Sequence, residues 1–486
     1  MSLTSALSNA ISGLAANSRA AGVVAANLAN IQTDGYGRRE ITMTQAASGT
    51  AGGVRVAAIT RHVDAAVLSD RRLADAELAH GETRAAFLRG VQESFGTPDQ
   101  PGSLLARLAA LEASLVTAAS RPDALDRLRQ VGLEAGALSD AFNRASQEIQ
   151  EGRTRAEAQI DAAVTGLNAD LAQVHELNLR IQAAQRKGAD AASLLDHRQV
   201  VTDRIAAMIP VREVPREDGA VALMTPGGAL LVDTGAATFS FSRANLIAPH
   251  MSLENGALSG LRLGGEEIAP SGARSPIAGG RLAALFETRD VLAVDAQRQL
   301  DALARDVIER TQDPGWDTTI GAGDAGLFTD AGGRLDPANE VGLAGRLRLN
   351  AAVDPARGGD VSRLRDGLGA LGPGPAGNAD RLHALADALA GPRVMASGDL
   401  GRGAASASDH GAAFVTRLAQ GVLIEERATS FAAMRQSSLE ERLLADGVNS
   451  DDETARLLLI EQAYAANARM IQTLDDMMET LLRIRP

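Results

Sequence analysis

The strongest hydrophobic pattern in the chain lies at its two ends. Near the N-terminus, mostly apolar residues recur at alternating intervals of four and three, which is the spacing of a coiled-coil helix. An Asp34–Gly35 turn pair follows and predicts the end of this helix. The positions, here named the N-terminal stripe, are Leu3, Leu7, Ala10, Leu14, Asn17, Ala21, Val24, Leu28 and Ile31.

A matching pattern, with intervals of three and four, occupies the C-terminus. Gly447 predicts the end of the preceding helix, and Ser450 with Glu453 three residues later predicts a capping box for the last one. Asp451 and Asp452 would place negative charge beside the positive end of the helix dipole. The positions, here named the C-terminal stripe, are Leu457, Ile460, Tyr464, Asn467, Ile471, Leu474, Met478 and Leu481.

Neither stripe can be buried by its own helix, so each requires a partner. The two can pair with each other, with the same helices of neighbouring copies, or with the body of the same chain. Asn17 and Asn467 occupy core positions near the middle of their stripes, where a buried Asn fixes register at a cost in stability. We hypothesise that their side chains hydrogen-bond if the helices pair antiparallel. The alternative is that either Asn faces solvent.

Helical spacing also dominates the interior of the chain. It predicts helices near 104–115, 120–152 and 193–209, and residues 154–186 keep a strict four–three spacing. At about 1.5 Å per residue, this last helix would be roughly 50 Å long, which suits a rod. Residues 211–276 instead carry short alternating runs among Gly, Pro, Val and Thr, which predicts strands. We therefore predict a mainly α fold with β-rich insertions (α+β), built as an elongated helical shaft with lateral domains.

The order of these elements predicts four regions, in which the two chain ends share one domain and three helical segments share another. The regions are a terminal coiled-coil domain (1–35 and 446–486), a helical shaft domain (36–210, 279–311 and 412–445), a β-rich outer domain (211–278) and a Gly- and Asp-rich second insertion (312–411).

Composition narrows the classes of function. The net charge of −13 disfavours nucleic acid and anionic membrane surfaces as main partners, because both require clustered cations. The chain has no cysteine, which excludes disulfides and thiolate metal sites. No apolar run reaches about 18 residues, so membrane insertion is not expected. The first charged residue is Arg19, so a cleaved secretory signal is not expected either.

Motifs for enzyme chemistry are incomplete. His175 and Glu176 begin an HExxH zinc pattern, but Leu179 stands where the second histidine is required. A GxGxxG spacing at 321–326 lacks the preceding buried strand of a dinucleotide-binding fold. The paired carboxylates, such as 475–476, lie in polar surroundings. We interpret them as residues on solvated faces of helices. We therefore predict that the chain is not an enzyme and expect no catalytic, cofactor-binding or metal-binding residues.

Two signatures at the chain ends resemble those of flagellar rod, hook and hook-associated proteins. Residues 26–38, ANLANIQTDGYGR, resemble the pattern N-I-A-N-x-x-T-P-G-Y-x-R, with Asp34 in place of proline. Residues 446–453, DGVNSDDE, resemble S-G-V-N-x-D-E-E, and residues 462–473 resemble Q-x-A-Y-x-A-N/S-A-R-V-I-x-T. The matched motif residues are Asn27, Asn30, Thr33, Gly35, Tyr36, Arg38, Gly447, Val448 and Asn449.

Interior segments resemble one branch of that group, the hook-associated protein 1 family. The resemblance extends over about 1–210, 279–311 and 412–486, and it is weak in the two insertions. The segments that carry it are 119–125 with 141–143, 177–181 followed by 194–198 (where His197 replaces a Gln), and 279–290.

The resemblance implies a structural subunit of the bacterial flagellum. Copies would assemble through the two stripes into a helical ring at the hook–filament junction, between the hook protein and a second junction protein. It also implies export from the cytoplasm through the flagellar type III apparatus without cleavage, with a chaperone bound near the C-terminal helix before export. One alternative is a hook or distal-rod subunit, which would lack the long 154–209 helical segment. Another is a secreted coiled-coil adhesin, which would not explain both end signatures.

Overall fold

The computed structural model describes residues 3–46, 52–97, 99–312, 315–401 and 403–484, without the side chains of Leu481 and Ile484. Its α-helices are Leu3–Ala29 (α1), Ala65–Phe95 (α2), Leu104–Ala119 (α3), Leu125–Arg186 (α4), Ala192–Met208 (α5), Gly280–Glu287 (α6), Ala293–Gln312 (α7), Leu343–Arg346 (α8), Arg363–Asp366 (α9), Asp380–Ala390 (α10), Ala407–Ala445 (α11) and Ser450–Ile484 (α12). Its strands are Arg38–Gln45 (β1), Val54–His62 (β2), Arg212–Pro215 (β3), Val221–Met224 (β4), Leu230–Val232 (β5), Phe239–Ser240 (β6), Leu261–Leu263 (β7), Glu266–Ile268 (β8), Phe328–Asp330 (β9) and Leu347–Leu349 (β10).

These elements confirm the predicted mainly α fold with β-rich insertions. The strands between α5 and α6 form two antiparallel three-stranded sheets, in the orders β3-β4-β5 and β6-β7-β8, within the segment predicted to be β-rich. Among the described residues, no helix combines the length and the apolar character that crossing a bilayer requires.

The helices α1 and α12 at the two chain ends pack against each other. They run antiparallel, because a Cβ built on Gly13 would lie 2.9 Å from Nδ2 of Asn467, while the loop after α1 reaches Glu453 in the first turn of α12. Of the partners considered for the two stripes, the structure therefore shows the first: the two terminal helices of one chain pair with each other.

A β-hairpin separates α1 from the body of the chain, at the start of the segment 36–210 that was predicted to belong to the helical shaft domain. The strands β1 and β2 pair antiparallel with a bulge between Thr42 and Met43, and the hairpin also contacts α1. Both faces of β1 are exposed or half-buried, so polar residues occupy both faces. The strand therefore lacks the alternation of apolar and polar residues by which a strand is predicted from sequence.

The helix α4 is continuous over 62 residues, or about 93 Å at 1.5 Å per residue. The sequence instead predicted a break near Gly152, because glycine disfavours helix interiors. Gly152 is buried, and a Cβ built on it would lie 2.7 Å from the ring of Phe87 in α2. The glycine therefore serves a close approach of two helices rather than a helix end.

The length of α4 allows it to contribute to two hydrophobic cores. Its first half packs with α3, α7 and the start of α11, and its second half packs with α5, α6 and the sheet β3-β4-β5. A buried polar layer separates the cores, where the Arg289 guanidinium lies 2.6 Å from Oε2 of Glu157 and Arg153 donates to the carbonyl of Arg289. Pairing compensates charges that would otherwise be costly to bury.

Residues 312–411, predicted as a second insertion into the shaft, supply a large part of the first core. Phe328, Leu343, Leu364 and Leu385 are fully buried against α3, α4 and α7. The high Gly and Asp content of this stretch encodes short turns between these core residues, which is why its hydrophobic spacing gave no regular pattern.

The start of α12 differs from the predicted capping box. Asn449, not Ser450, caps the helix, since its Oδ1 accepts hydrogen bonds from the backbone N–H groups of Asp451 and Asp452. Glu453 is buried instead of folding back onto its own helix end. The long-range pairing of Glu453 outweighs the local capping interaction.

Candidate assembly interface

The described residues of the N-terminal signature form a buried hydrogen-bond network at the end of α1. The Asn27 side chain is fully buried, and its Oδ1 accepts hydrogen bonds from the Tyr36 hydroxyl and the Arg39 backbone N–H, each at 2.9 Å. Its Nδ2 donates to the Arg39 carbonyl at 2.9 Å. Burial raises the pKa of the Tyr36 phenol, with further upward contributions from Asp196 and Glu453 and an opposing one from Arg39, so it remains a neutral donor. The loop after α1 is thereby fixed to the helix that precedes it.

Asp196 of α5 connects this loop and the hairpin to the body. One carboxylate oxygen accepts from the Gly37 N–H at 3.0 Å and lies 2.6 Å from Nε of Arg61. The other lies 3.1 Å from the Arg39 guanidinium. A half-buried carboxylate shared by two arginines forms charge-assisted hydrogen bonds, which are stronger than neutral ones.

An ion pair joins the N-terminal signature to the C-terminal one. Nε of Arg38 lies 3.2 Å from Oε1 of Glu453, whose side chain is 1% exposed. Arg456, one turn further along α12, lies 3.4 Å from the same oxygen. The orientation of α12 is therefore set by a residue that follows α1. We name Asn27, Tyr36, Arg38, Arg39, Arg61, Asp196 and Glu453 the anchor network.

The remaining N-terminal motif residues shape the turn that carries the network. The Asn30 amide donates to the Ala26 carbonyl at 2.8 Å and accepts from the Thr33 hydroxyl at 3.2 Å. Gly35 has φ of 75°, and a Cβ built there would lie 2.5 Å from Cγ2 of Val200. Both the left-handed backbone and the lack of space require glycine at this position.

The C-terminal motif residues form the turn between α11 and α12. The Gly447 N–H donates to the Leu444 carbonyl, which closes the end of α11, and Asn449 caps α12. Val448 lies between them and is half-buried. This turn brings Glu453 to the anchor network, so the two motifs act at one place in the fold.

The N-terminal stripe lies along one flank of α1 rather than at the centre of its contact with α12. Leu3, Leu7, Leu14 and Asn17 are half-buried, whereas Val24 is buried. Leu28 and Ile31 remain exposed. Mostly small residues occupy the buried side of α1, which allows the close approach of α12 and the hairpin. They are the stripe member Ala10 and, beside the stripe, Gly13, Ala16, Ala20 and Val23.

The C-terminal stripe faces α1 of the same chain along much of its length. Leu474 is buried, and Leu457, Ile460, Asn467 and Ile471 are half-buried. Two further members, Tyr464 and Met478, are exposed, and the side chain of Leu481 lies outside the described residues.

The hypothesised hydrogen bond between Asn17 and Asn467 is absent from the described residues. Asn467 lies against Gly13 instead, one helical turn away from Asn17 along α1. The prediction was wrong because it placed the centre of the contact on the larger residues of the N-terminal stripe. The α12 helix packs on the smaller residues beside it.

Four members of the anchor network were not predicted as site residues: Arg39, Arg61, Asp196 and Glu453. Each contacts a partner far away in sequence, so no local spacing reveals it. Asp196 was noted only within a segment of family resemblance, and Glu453 only within the C-terminal signature and as part of a capping box.

The positions inspected for enzyme chemistry hold ordinary structural contacts. At the GxGxxG spacing, the Gly321 N–H donates to Oδ2 of Asp324 in a local turn. Across the described residues, no three His, Asp or Glu side chains converge in a way that could hold a metal ion.

Comparison with known proteins connects the chain to flagellar components. Residues 88–322 match the family described as flagellar hook-associated protein FlgK helical domain. Residues 441–484 match the family described as flagellar basal body rod FlgEFG protein C-terminal.

The chain also resembles hook-associated proteins over nearly their full length. The chain is 22% identical to flagellar hook-associated protein 1 of Bacillus subtilis, over 98% of this chain and 97% of that protein. It is 24% identical to flagellar hook-associated protein 1 of Escherichia coli, over 99% of this chain and 100% of that protein. The solved structure of the flagellar hook junction protein FlgK from Burkholderia pseudomallei aligns with a TM-score of 0.44 and 17% identity, over 54% of this chain and 46% of that one.

Proposed function

The chain belongs to the flagellar hook-associated protein 1 family, and we propose that it forms the structural junction between the hook and the filament of the bacterial flagellum. The observation that carries this proposal is the full-length similarity to hook-associated protein 1, together with an anchor network built from the signature residues at both chain ends.

Assembly into a helical ring would proceed through the paired terminal helices. They present uncharged apolar residues that the chain itself leaves exposed, including Leu28, Ile31, Tyr464 and Met478. A contact between two different surfaces, with a rotation that does not close, generates a helical tube. The anchor network would hold the pair at a fixed angle to the body, so that each added copy presents its surfaces in the same orientation.

The partners at the two sides of the ring would be the hook protein and a second junction protein. Before assembly the protein would be exported from the cytoplasm by the flagellar type III apparatus without cleavage. Exposed apolar helices promote premature association. A chaperone that covers α12 until export would prevent this.

A catalytic role is not part of the proposal. The buried charged residues that the structure describes are engaged in ion pairs and helix contacts, such as Glu157 with Arg289 and Asp306 with Arg310. Groups so engaged hold elements together.

A second candidate is a rod or hook subunit. It is favoured by the match of residues 441–484 to the C-terminal family of rod proteins. Against it stands the match of residues 88–322 to a helical domain of the hook-associated family, which includes all of α4.

Deletion of the gene tests the proposal. We expect cells with hooks but without filaments, and filament protein released into the medium, because the filament would lack its attachment surface. Re-expression of the chain from a plasmid should restore filaments. Loss of the hook itself would favour the rod or hook candidate, and normal filaments would overturn both.

A further inference from the structure

The outer face of α11 carries an apolar patch that the chain leaves exposed. Ile424, Phe431 and Met434 are 64%, 66% and 65% exposed. All nine phenylalanines lie within the described residues, and Phe431 is the only one of them that is exposed. An exposed apolar cluster of this kind marks a surface that binds a partner. We name Leu423, Ile424, Arg427, Phe431 and Met434, all exposed, the α11 patch.

The composition of the α11 patch fits a protein partner. Phenylalanine, methionine and arginine are the residue types enriched where proteins contact each other. The Arg427 guanidinium lies in the middle of the patch and has no ion-pair or hydrogen-bond partner among the described residues. It is therefore free to pair with a carboxylate of whichever surface covers the patch.

The same chain offers an apolar groove between α2, α4 and α6. Its volume is about 580 Å³, and it is open to solvent. Its apolar walls include Ala79, Ala86 and Phe87 of α2, Ala156 of α4 and Leu285 of α6. The small side chains leave room for large ones from another molecule, such as Phe431 and Met434. We name this the α2 groove.

The charges that line the α2 groove complement Arg427. Glu148 and Arg155 lie 2.6 Å apart and so compensate each other. Glu82 of α2 is exposed, and its carboxylate has no ion-pair or hydrogen-bond partner among the described residues. Arg281 of α6 has the same sign as Arg427. The groove therefore favours an orientation in which Arg427 faces Glu82 on the α2 side.

The α11 patch and the α2 groove lie on opposite sides of one layer formed by α2 and α11. Nε of Arg84 lies 3.0 Å from Oε1 of Glu425, and Arg435 lies 3.1 Å from Glu77, so the two helices run antiparallel with patch and groove at the same level. At about 100° per residue, the groove side of α2 points roughly 160° away from α11, and the patch points roughly 150° away from α2. Each extends over roughly 17 Å of its helix.

From these observations we propose that the α11 patch of one copy inserts into the α2 groove of a second copy of this chain. Because the two surfaces face opposite ways, no copy can satisfy its own patch, and each copy can bind two neighbours at once. Joining two different surfaces in this way generates a head-to-tail row. The contact lies in the body of the molecule and is separate from the terminal helices. The inference rests on the proposed function and adds a lateral contact between the bodies of neighbouring copies.

Photo-cross-linking in isolated flagella identifies the occupant of the α11 patch. A photoreactive phenylalanine analogue is incorporated in place of Phe431, where it keeps the aromatic shape. We expect irradiation to produce multimers of this chain in flagella and none in unassembled protein. Mass spectrometry of the linked peptides should join position 431 of one copy to residues 79–91 of another. As a control, the same analogue in place of Leu133, which is 66% exposed on α4, should give no link to residues 79–91.

The outcomes separate the contact from the junction function. Links from position 431 only to the hook protein, to a second junction protein or to a chaperone would overturn the contact and leave the junction function intact. Incorporation of the labelled protein into flagella without any link to residues 79–91 would do the same. Absence of the wild-type protein from flagella would overturn the junction function itself.

Charge reversal provides an independent test. Arg427→Glu and Glu82→Arg should each lower the number of flagella that retain the protein by about tenfold, because each places like charges across the contact. The double variant should recover most of this loss, since it restores an opposite pair. The matched control, Arg129→Glu at an exposed position of α4, should leave retention unchanged. At equal helix content and export, a double variant no better than either single variant would contradict the proposal, as would unchanged retention in all of them.

Discussion

At the residue scale, the contacts between the chain ends and the body are made by side chains that link distant segments. Asn27 is predictable as a motif residue from the sequence, but its contacts are not. The residue both accepts from and donates to the backbone of Arg39, which replaces the hydrogen bonds that α1 loses at its end. Local sequence can identify such a residue only through family resemblance, because the pattern of apolar spacing treats Asn27 as an interruption.

We expect Asn27→Ala to loosen the anchor network. The substitution would leave the Tyr36 hydroxyl and the Arg39 N–H buried without partners, which costs about 1–3 kcal/mol. Hydrogen exchange of the backbone amides at 36–41 should accelerate accordingly. In the control Asn30→Ala, which loses a bond to the Ala26 carbonyl of its own helix, the same amides should change by less than about 1 kcal/mol. Equal exchange in both variants would show that Asn27 does not hold the loop.

A buried carboxylate on α7 predicts a pH dependence of stability. Burial raises the pKa of Asp301 to about 6, although N–H groups of Gly342 and Ala344 and the Gln297 amide donate to it. Since the pKa is higher in the folded state, Asp301 favours folding most below its unfolded pKa near 4. This contribution is lost as the pH rises through about 6, by up to roughly 3 kcal/mol.

The measurement is the stability difference between the wild type and Asp301→Asn from pH 4 to pH 7. The wild type should lose stability relative to the variant as the pH rises, because Asn does not titrate. Asp140→Asn, at an exposed position of α4, serves as the control and should track the wild type. A constant difference between the wild type and Asp301→Asn across this range would rule out a raised pKa.

At the element scale, the long apolar periodicities predicted the helices well and the short elements poorly. The helices α1, α5 and α12 begin or end within a few residues of their predicted limits. The hairpin was missed, since neither face of β1 is fully buried. The continuity of α4 was missed because the packing role of Gly152 depends on Phe87, which is far away in sequence.

The terminal helices should be the least protected elements of the free monomer. Each packs on little more than the other and the hairpin, and most residues of α12 are exposed. Hydrogen exchange of the purified monomer should therefore be fast in α1 and α12 and slow in α4, where residues such as Leu128, Leu138 and Leu171 are fully buried. Protection of residues 3–31 equal to that of α4 would contradict this expectation.

At the scale of the whole molecule, the terminal helices and the hairpin lie outside the two hydrophobic cores of the body. Two hydrophobic cores along α4 stabilise the body without help from the chain ends. The anchor network connects the two parts through Asp196 of α5, which pairs with Arg39 and Arg61 of the hairpin. The sequence predicted the terminal unit and its family, because both are encoded in local motifs. It did not predict the packing of residues 312–411, which depends on scattered core residues with no regular spacing.

The position of the protein in the flagellum tests the central claim most directly. A peptide tag inserted in the exposed 371–377 loop, far from the anchor network, allows gold labelling of purified flagella in the electron microscope. We predict a single narrow band of label between the hook and the filament in cells whose motility is normal. Label distributed along the hook, the rod or the filament, or absent from flagella altogether, would contradict the account.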